Sequence, residues 1–307
     1  MPRTRRLAAA ALVGMTLAAA PIARAADPVV MAAGDIACDS TDPFFFGGNG
    51  DATHCAQGRT ASLLDSATAV LALGDNQYNT GSFSSYQAVF NPSWGRFKSK
   101  MWAVPGNHEY GTRNAGGYFQ YFGSKVGTAG QGWYSFNIGQ WHVIALNSEC
   151  DFLPAGSCAA NGPEDRFIKS DLAANPRKCT LAMFHEPRYS SGSAPVKNAD
   201  AIAPLWNTLS AGGVDLVLNG HKHFYERFAP LDRNGDPTTA ALGMRELIVG
   251  TGGEDQAATP VARTGSERRK GRVFGVVRLA LHASGYDARF VPEAGQTYSD
   301  VTTTACR

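Results

Sequence analysis

Val70-Leu71-Ala72-Leu73-Gly74-Asp75 is a short apolar run that stops at a glycine and then at a carboxylate. A continuous apolar run of this length is typical of a strand buried on both faces. Four further runs end in the same way, on a side chain able to bind a metal: Val29 to Asp35, Met101 to His108, Leu181 to His185 and Val214 to His223. A glycine in four of the five runs lets the backbone turn sharply where the strand stops.

Helical patterns lie between these runs, over residues 56–67, 84–90, 164–173 and 199–209. Alternating strands and helices predict an α/β fold, in which ligands gather at the carboxyl ends of the strands. Later segments look like strands with less helix between them and predict a second, partly antiparallel sheet packed on the first. These segments are residues 133–138, 141–147, 244–249, 273–282 and 286–291.

Composition places the chain among ordinary globular proteins, since 44% of its 307 residues are hydrophobic and 18% are charged. No repeat or linker divides the chain, so a single domain over residues 26–307 is expected. Without the four arginines of residues 1–25, the 28 basic side chains fall to 24, against 26 acidic ones. A balance so close to neutral argues against nucleic acid as a partner.

The first 25 residues have the three zones of a secretory signal. Arg3, Arg5 and Arg6 precede an apolar stretch, and Ala23-Arg24-Ala25 supplies a small-residue cleavage site. The Arg5-Arg6 pair leaves open whether the route is Sec or twin-arginine. The apolar stretch is short for a membrane span of ~20 residues, so no stable membrane anchor is expected.

Six cysteines in an exported chain predict up to three disulfides. Cys150 and Cys158 are the easiest local pair, and Cys38 and Cys55 flank a long loop that a disulfide between them would pin. The cysteines contain no CxxC pair, so a structural role is favoured over a zinc site.

The strand-end side chains are oxygen and nitrogen ligands that suit zinc, iron or manganese. They are Asp35, Asp75, Asn107, His108, His185, His221 and His223, with Tyr78 just after Asp75. They are too many for one ion, whereas two cations ~3.5–4 Å apart sharing a carboxylate would use them all.

These residues resemble the calcineurin-like metallophosphoesterases, most closely the purple acid phosphatase branch. The resemblance is carried by five ordered blocks: Gly34-Asp35, Gly74-Asp75-Asn76-Gln77-Tyr78, Gly106-Asn107-His108-Glu109, His185, and Gly220 to Arg227. It implies a four-layer α/β/β/α sandwich in which two mixed sheets are flanked by helices.

The resemblance also implies the ligand set of a dinuclear site. Asp75 bridges the two metals. Asp35, Tyr78 and His223 complete the first site, and Asn107, His185 and His221 complete the second. A tyrosinate from Tyr78 favours Fe(III) in the first site, with Zn(II), Mn(II) or Fe(II) in the second.

The function implied is that of an exported phosphatase acting on small phosphate monoesters by attack of a metal-bound hydroxide. Asp75 and His108 are the catalytic candidates, with His108 protonating the leaving alcohol or holding the phosphoryl group. A phosphodiesterase or nucleotidase with the same metals is the alternative, followed by a non-catalytic metal-binding protein. The oligomeric state stays open.

One feature limits the resemblance, and several other polar residues are assigned ordinary roles. No histidine lies between His185 and His221, where purple acid phosphatases often supply leaving-group ligands, so an acid pH optimum is doubtful. His54, His142 and His282 are interpreted as structural. Arg188 is interpreted as a solvated arginine, and the Glu226-Arg227 pair as either an outer partner of the metals or an ion-pair brace.

Overall fold

The computed structural model describes residues 1, 26–192 and 196–307. The predicted signal segment, apart from Met1, lies outside the described residues. Among the described residues no helix has the length and apolar character needed to cross a bilayer.

Thirteen strands and five α-helices run through the described part of the chain. The strands are β1 (Val29–Ala33), β2 (Ala69–Leu73), β3 (Met101–Val104), β4 (Tyr134–Ile138), β5 (Trp141–Ala145), β6 (Thr180–Met183), β7 (Leu216–Asn219), β8 (Tyr225–Phe228), β9 (Arg245–Val249), β10 (Ser266–Lys270), β11 (Gly275–His282), β12 (Gly285–Pro292) and β13 (Val301–Ala305). The helices are α1 (Gln57–Ala61), α2 (Phe83–Ser85), α3 (Gly116–Phe122), α4 (Pro163–Ala174) and α5 (Ala203–Ala211).

One mixed sheet has the strand order β13-β12-β11-β1-β2-β3. Strands β1, β2 and β3 are parallel, with Met31 opposite Val70 and Val70 opposite Met101. Strand β11 pairs antiparallel with β1 and continues the sheet through β12 and β13. The carboxyl ends of the three parallel strands therefore lie side by side at one edge.

The second mixed sheet has the order β10-β8-β9-β7-β6-β5-β4. Its centre is parallel, from β5 through β6 and β7 to β9. The predicted division of strands between the sheets was wrong in part. The runs ending at His185 and His223 belong to this second sheet, whereas residues 275–282 and 285–292 extend the first. Apolar runs show that a strand is buried, but they do not show which neighbour it pairs with.

Burial confirms the layered sandwich. In the second sheet, Leu181 and Met183 pack in one cluster with the first sheet, whereas Ala182 between them packs in another cluster with Ile168 of α4 and Trp206 of α5. Successive side chains of a strand face opposite sides, so this sheet is covered on one side by the other sheet and on the other by helices. Helices and two mixed sheets together give the predicted α/β architecture.

Some predicted boundaries moved. The first predicted helix continues from α1 as a 3₁₀ turn, Ser62–Leu64, and α2 continues as a π-helical turn, Tyr86–Phe90. Helix α5 begins at Ala203 rather than at residue 199, because Pro204 favours the first turn of a helix. Strands β8, β10 and β13 and helix α3 were not predicted.

Three disulfides cross-link the chain: Cys38–Cys55, Cys150–Cys158 and Cys179–Cys306. The first two confirm the pairs that the sequence favoured. Cys38–Cys55 closes the long loop, and the third joins the residue before β6 to the residue after β13, so it fixes the last strand described.

The two sheets meet at the edge where the parallel strands end. The backbone N–H of Gly34, just after β1, donates a 2.9 Å hydrogen bond to the carbonyl of Val249 at the end of β9. Asp35 N–H donates to Gly74 O at 3.1 Å, and Gly220 N–H donates to His185 O at 3.0 Å. The loops that carry the predicted ligands are thereby joined into one surface.

Candidate metal centre

The hydroxyl of Tyr78 is the meeting point of the first group of predicted ligands. It lies 2.8 Å from Oδ1 of Asp35, 3.0 Å from Oδ2 of Asp75 and 3.1 Å from Nε2 of His223. Asp35, Asp75 and Tyr78 are all buried, and His223 is half-buried. The structure thus brings together the four side chains that the sequence assigned to one cation.

A second group shares Asp75 with the first. One ligand atom from each of Asp75, His185 and His221 lies within 4.8 Å of the other two. Oδ1 of Asn107 is 3.2 Å from Nδ1 of His221, and Nε2 of His185 is 3.1 Å from Oδ2 of Asp75. Asp75 therefore faces both groups, as a side chain that bridges two cations must.

Two observations on His185 indicate that the donor atoms of this site suit metal ions. Nδ1 of fully buried His185 donates to Leu73 O at 2.9 Å, which leaves Nε2 as the free donor atom. That Nε2 has no hydrogen-bond partner with acceptable geometry among the described residues, although it faces Asp75. Buried polar atoms are normally satisfied, so a buried imidazole nitrogen that lies beside a carboxylate without a hydrogen bond to it suits a cation.

The electrostatics of the three histidines differs. Burial opposes protonation of His185 and His223, but the charge of Asp75 beside the first and of Asp35 beside the second raises their pKa above the usual range, so a cation would take the place of a proton there. Burial, and then the neighbouring His185, lowers the pKa of His221 to about 3, so its imidazole is neutral and able to bind a metal. Burial, followed by the charges of Asp35 and Asp75, raises the pKa of the Tyr78 hydroxyl. Ionisation of Tyr78 inside this site consequently requires a strong positive charge beside it, which a trivalent cation supplies.

The backbone is strained where it presents the ligands. Asp35, Asp75 and His221 have φ values of 59°, 46° and 67°. A left-handed conformation at a non-glycine residue costs on the order of 1–3 kcal/mol and is concentrated at functional sites. Gly106 is required by close approach, because a Cβ there would lie 2.3 Å from Oδ1 of Asp75.

Comparison with known proteins agrees with this geometry. The profile of the calcineurin-like phosphoesterases matches residues 52–225, more than half of the chain. The chain belongs to the calcineurin-like phosphoesterase family. The sequence-based assignment to this superfamily is thereby confirmed.

Relatives of this calcineurin-like phosphoesterase include three phosphatases by name. Purple acid phosphatase 15 of Arabidopsis thaliana is 29% identical over 52% of this chain and 32% of its own length. Acid phosphatase type 7 of Homo sapiens is 29% identical over 52% of this chain and 41% of its own length. Probable inactive purple acid phosphatase 9 of Arabidopsis thaliana is 30% identical over 36% of this chain and 18% of its own length. The matches span less than half the length of these relatives.

Solved structures show the same fold. The purple acid phosphatase PPD1 from seeds of yellow lupin, Lupinus luteus, superposes with a TM-score of 0.74 at 20% identity. The superposition covers 92% of this chain and 54% of that one. GAP50, described as the anchor in the inner membrane complex of Plasmodium, superposes with a TM-score of 0.66 at 15% identity, covering 92% and 90% of the two chains.

Glu109 braces this phosphoesterase site, although the sequence analysis gave it no role. Its buried carboxylate accepts hydrogen bonds from Gly106 N at 2.7 Å, from Asn76 N at 3.0 Å and from the Tyr86 hydroxyl at 2.8 Å. It thereby joins the loop after β2 to the loop after β3. The sequence does contain a signal for this role. Glu109 lies three positions after Gly106, and an acidic residue at that spacing often caps the start of a helical turn.

Asp255 is a second residue that the sequence analysis missed. Its Oδ1 contacts Nδ1 of His223, on the opposite side of the ring from Asp35 and Tyr78. A carboxylate that accepts from one imidazole nitrogen fixes the tautomer, so the other nitrogen is free for a metal. No sequence signal identifies Asp255, because it lies 32 residues from His223.

His108 lies beside the site rather than within the ligand groups. Its backbone N–H donates to Oδ1 of Asp75 at 2.8 Å, and its ring centroid is 4.1 Å from that of Tyr78. Nδ1 is 3.0 Å from the carbonyl of Asn79 and donates to it. Nε2 makes no hydrogen bond within the described residues, so it is available to a bound molecule.

The other polar residues considered in the sequence lie outside the two ligand groups and contact other protein side chains. Glu226 accepts from the backbone and hydroxyl of Ser191, and Arg227 pairs with Asp300, so both are braces. Arg188 is less solvated than expected, since its side chain is only 20% exposed, and its guanidinium lies 3.3 Å from exposed Asp200. The three histidines interpreted as structural contact other side chains: His54 with Asp51, His142 with Asp171, and His282 with Asp27 and Asp287.

Proposed function

We propose that this chain is an exported phosphatase that hydrolyses phosphate monoesters at a site holding two metal ions. The observation that carries the proposal is the position of Asp75. Its carboxylate contacts Tyr78 on the side of Asp35 and His223, and it contacts His185 on the side of His221. One buried carboxylate between two sets of donors is the arrangement that two adjacent cations need.

The proposed division of ligands follows the two groups. Asp35, Tyr78 and His223 hold the first ion, Asn107, His185 and His221 hold the second, and Asp75 lies between them. The phenol of Tyr78 favours Fe(III) in the first position, with Zn(II), Mn(II) or Fe(II) in the second. When bound, the two ions activate water near neutral pH and neutralise charge on the phosphoryl oxygens.

His108 is the proposed proton donor. Hydrolysis of a monoester breaks the bond between phosphorus and the ester oxygen, and that oxygen leaves with a proton. Nε2 of His108 makes no hydrogen bond within the described residues, while its backbone is held by Asp75 and its ring by Tyr78. A positioned imidazole with a free nitrogen can deliver the proton to the leaving alcohol.

Export and domain organisation are part of the proposal. Three disulfides support an oxidising compartment, because reducing cytosol does not maintain them. We propose that residues 1–25 are a signal that is removed and that residues 26–307 form one catalytic domain. This domain matches only a part of the purple acid phosphatases named above.

The decisive experiment measures metal content and hydrolysis together. The purified protein is analysed for iron, zinc and manganese and assayed with nitrophenyl phosphate and with its bis ester. We expect two metal equivalents and faster hydrolysis of the monoester. Asp75→Asn should lose metal and reduce kcat by at least about 10³-fold, because one residue serves both ions.

Asp65→Asn, which changes an exposed aspartate, is the matched control and should behave as wild type. Faster turnover of the bis ester would make the protein a diesterase. Two bound metals without hydrolysis of either ester would make it a metal-binding protein and would overturn the enzymatic proposal. Wild-type turnover by Asp75→Asn would overturn the bridging role.

A further inference from the structure

A cavity of about 560 Å³ opens beside the two histidines of the last ligand loop. Its wall includes His221, Lys222 and His223 on one side and the segment from Ala257 to Val261 on the other. The cavity is therefore continuous with the candidate metal centre. Its size suits the organic part of a small ester rather than a phosphoryl group alone.

The far wall is apolar and fixed in place. Ala257, Ala258, Pro260 and Val261 line it. Ala257 N–H donates to His223 O at 2.9 Å, and Gly192 N–H donates to Val261 O at 3.0 Å, so one end of the segment is tied to a proposed ligand and the other to the loop after β6. An organic group in this cavity would lie against small apolar side chains.

Asp255 and Lys222 bring opposite charges to the lining of this cavity. The carboxylate of Asp255 is held by Nδ1 of His223, whereas Lys222 has no such partner among the described residues. Its ammonium makes no hydrogen bond or ion pair with the described residues, whereas Lys169 pairs with Asp165 and Lys197 with Asp151. Asp35 and Glu186 are the acids whose charges act on Lys222. Both are engaged elsewhere, Asp35 by Tyr78 and the backbone of His221, and Glu186 by Asn198.

We infer that Lys222 binds a second anionic group on the substrate, so that the preferred esters have an apolar organic part carrying a carboxylate or a further phosphoryl group. This inference rests on the proposed phosphatase function. A half-buried, unpaired ammonium beside an apolar wall favours a ligand that brings both an anion and an apolar surface. The apolar part lies along residues 257–261, and the anionic group meets Lys222.

The rival role for Lys222 is contact with the phosphoryl group being transferred. That role would affect all esters equally, whatever their organic part. A matched pair of substrates separates the two roles: 4-carboxyphenyl phosphate, whose organic part is anionic, and 4-carbamoylphenyl phosphate, which has nearly the same shape without the charge.

The test compares kcat/KM for both esters in the metal-loaded wild type and in Lys222→Met. We expect the ratio of the carboxylate ester to the amide ester to fall by about tenfold, mainly through KM, because an ion pair in a partly buried site is lost. Lys222→Arg should restore most of the ratio. Lys178→Met, at the opposite end of β6 from His185, is the control and should leave the ratio unchanged.

An unchanged ratio in Lys222→Met would overturn the inference, even if both rates fell. Failure of the phosphatase proposal has a different signature, since wild type would then hydrolyse neither ester. Binding of 4-carboxybenzyl and 4-carbamoylbenzyl phosphonates, measured by calorimetry, still tests Lys222 in that case. The carboxylate analogue should bind wild type more tightly than the amide, and equal affinities would overturn the inference.

Discussion

The hydroxyl of Tyr78 donates a 2.8 Å hydrogen bond to Oδ1 of Asp35, although the two residues are 43 positions apart. Both side chains are buried, and they come from loops that follow adjacent parallel strands. The same hydroxyl also lies within 3.1 Å of Asp75 and His223. The hydroxyl of Tyr78 is therefore at the centre of the first ligand group. Its removal should change the visible spectrum of the iron-loaded protein.

Tyr78→Phe should abolish visible absorption in the iron-loaded protein. A phenolate bound to Fe(III) absorbs visible light, so the iron-loaded wild type should be violet, and phenylalanine keeps the ring but not the oxygen. The measurement is a visible spectrum at matched iron content. Tyr121→Phe, which removes a hydroxyl bonded to Asn91 away from the site, is the control and should stay coloured. A coloured Tyr78→Phe protein would show that Tyr78 is not the iron ligand.

Asp255→Asn should weaken the first metal position without removing any ligand. Asp255 holds Nδ1 of His223, and loss of such a carboxylate partner typically costs about 10–100-fold in metal affinity or activity. Competition with a chelator measures the affinity of the two metals separately. The expected result is earlier loss of one metal equivalent, while the second remains. Equal loss of both metals, or no loss, would count against this positioning role.

The ligand positions were predictable because chemistry and topology coincide in this fold. Each parallel strand is an apolar run, and its carboxyl end lies at the same edge as that of its neighbour. Asp35 and Asp75 therefore converge at the edge of the first sheet, and His185 and His221 converge at the edge of the second. Packing of the two sheets, which the apolar runs alone do not predict, brings the two pairs together. Asp255 has no such marker, since it follows β9 in an irregular loop. The short edge strand β10 is Ser-Glu-Arg-Arg-Lys, which lacks the apolar pattern of a buried strand. Its pairing with β8 depends on tertiary contacts that a local pattern does not contain.

Removing the Cys179–Cys306 disulfide should destabilise the protein more than removing Cys150–Cys158. The first closes a loop with a separation of 127 residues and the second one of 8. Loop-closure entropy predicts losses of about 5 and about 2.5 kcal/mol respectively. Denaturant unfolding of the two double Cys→Ser variants, with the other bridges intact, measures the difference. The reverse order would show that local strain or residual unfolded structure outweighs chain entropy here.

Glu246→Gln should change how stability depends on pH. Burial is the main cause that raises the pKa of Glu246 to about 8, although the backbone N–H groups of Tyr189 and Arg188 donate to its Oε1 and lower it in part. Between its usual carboxyl range and pH 8, the unfolded chain releases this proton and the folded protein keeps it. Wild-type stability therefore falls as pH rises through this window, by at most about 1.4 kcal/mol per pH unit for one proton.

Glutamine keeps the Oε1 acceptor for both backbone donors and cannot ionise, so the variant should show a flatter curve from pH 5 to pH 8. Its stability should approach that of wild type at pH 5 and exceed it at pH 8. Urea unfolding at several pH values measures both curves, and Asp65→Asn controls for the loss of one carboxylate. Parallel curves for wild type and Glu246→Gln would mean that Glu246 is ionised in the folded protein, with its charge met by the two N–H donors despite burial.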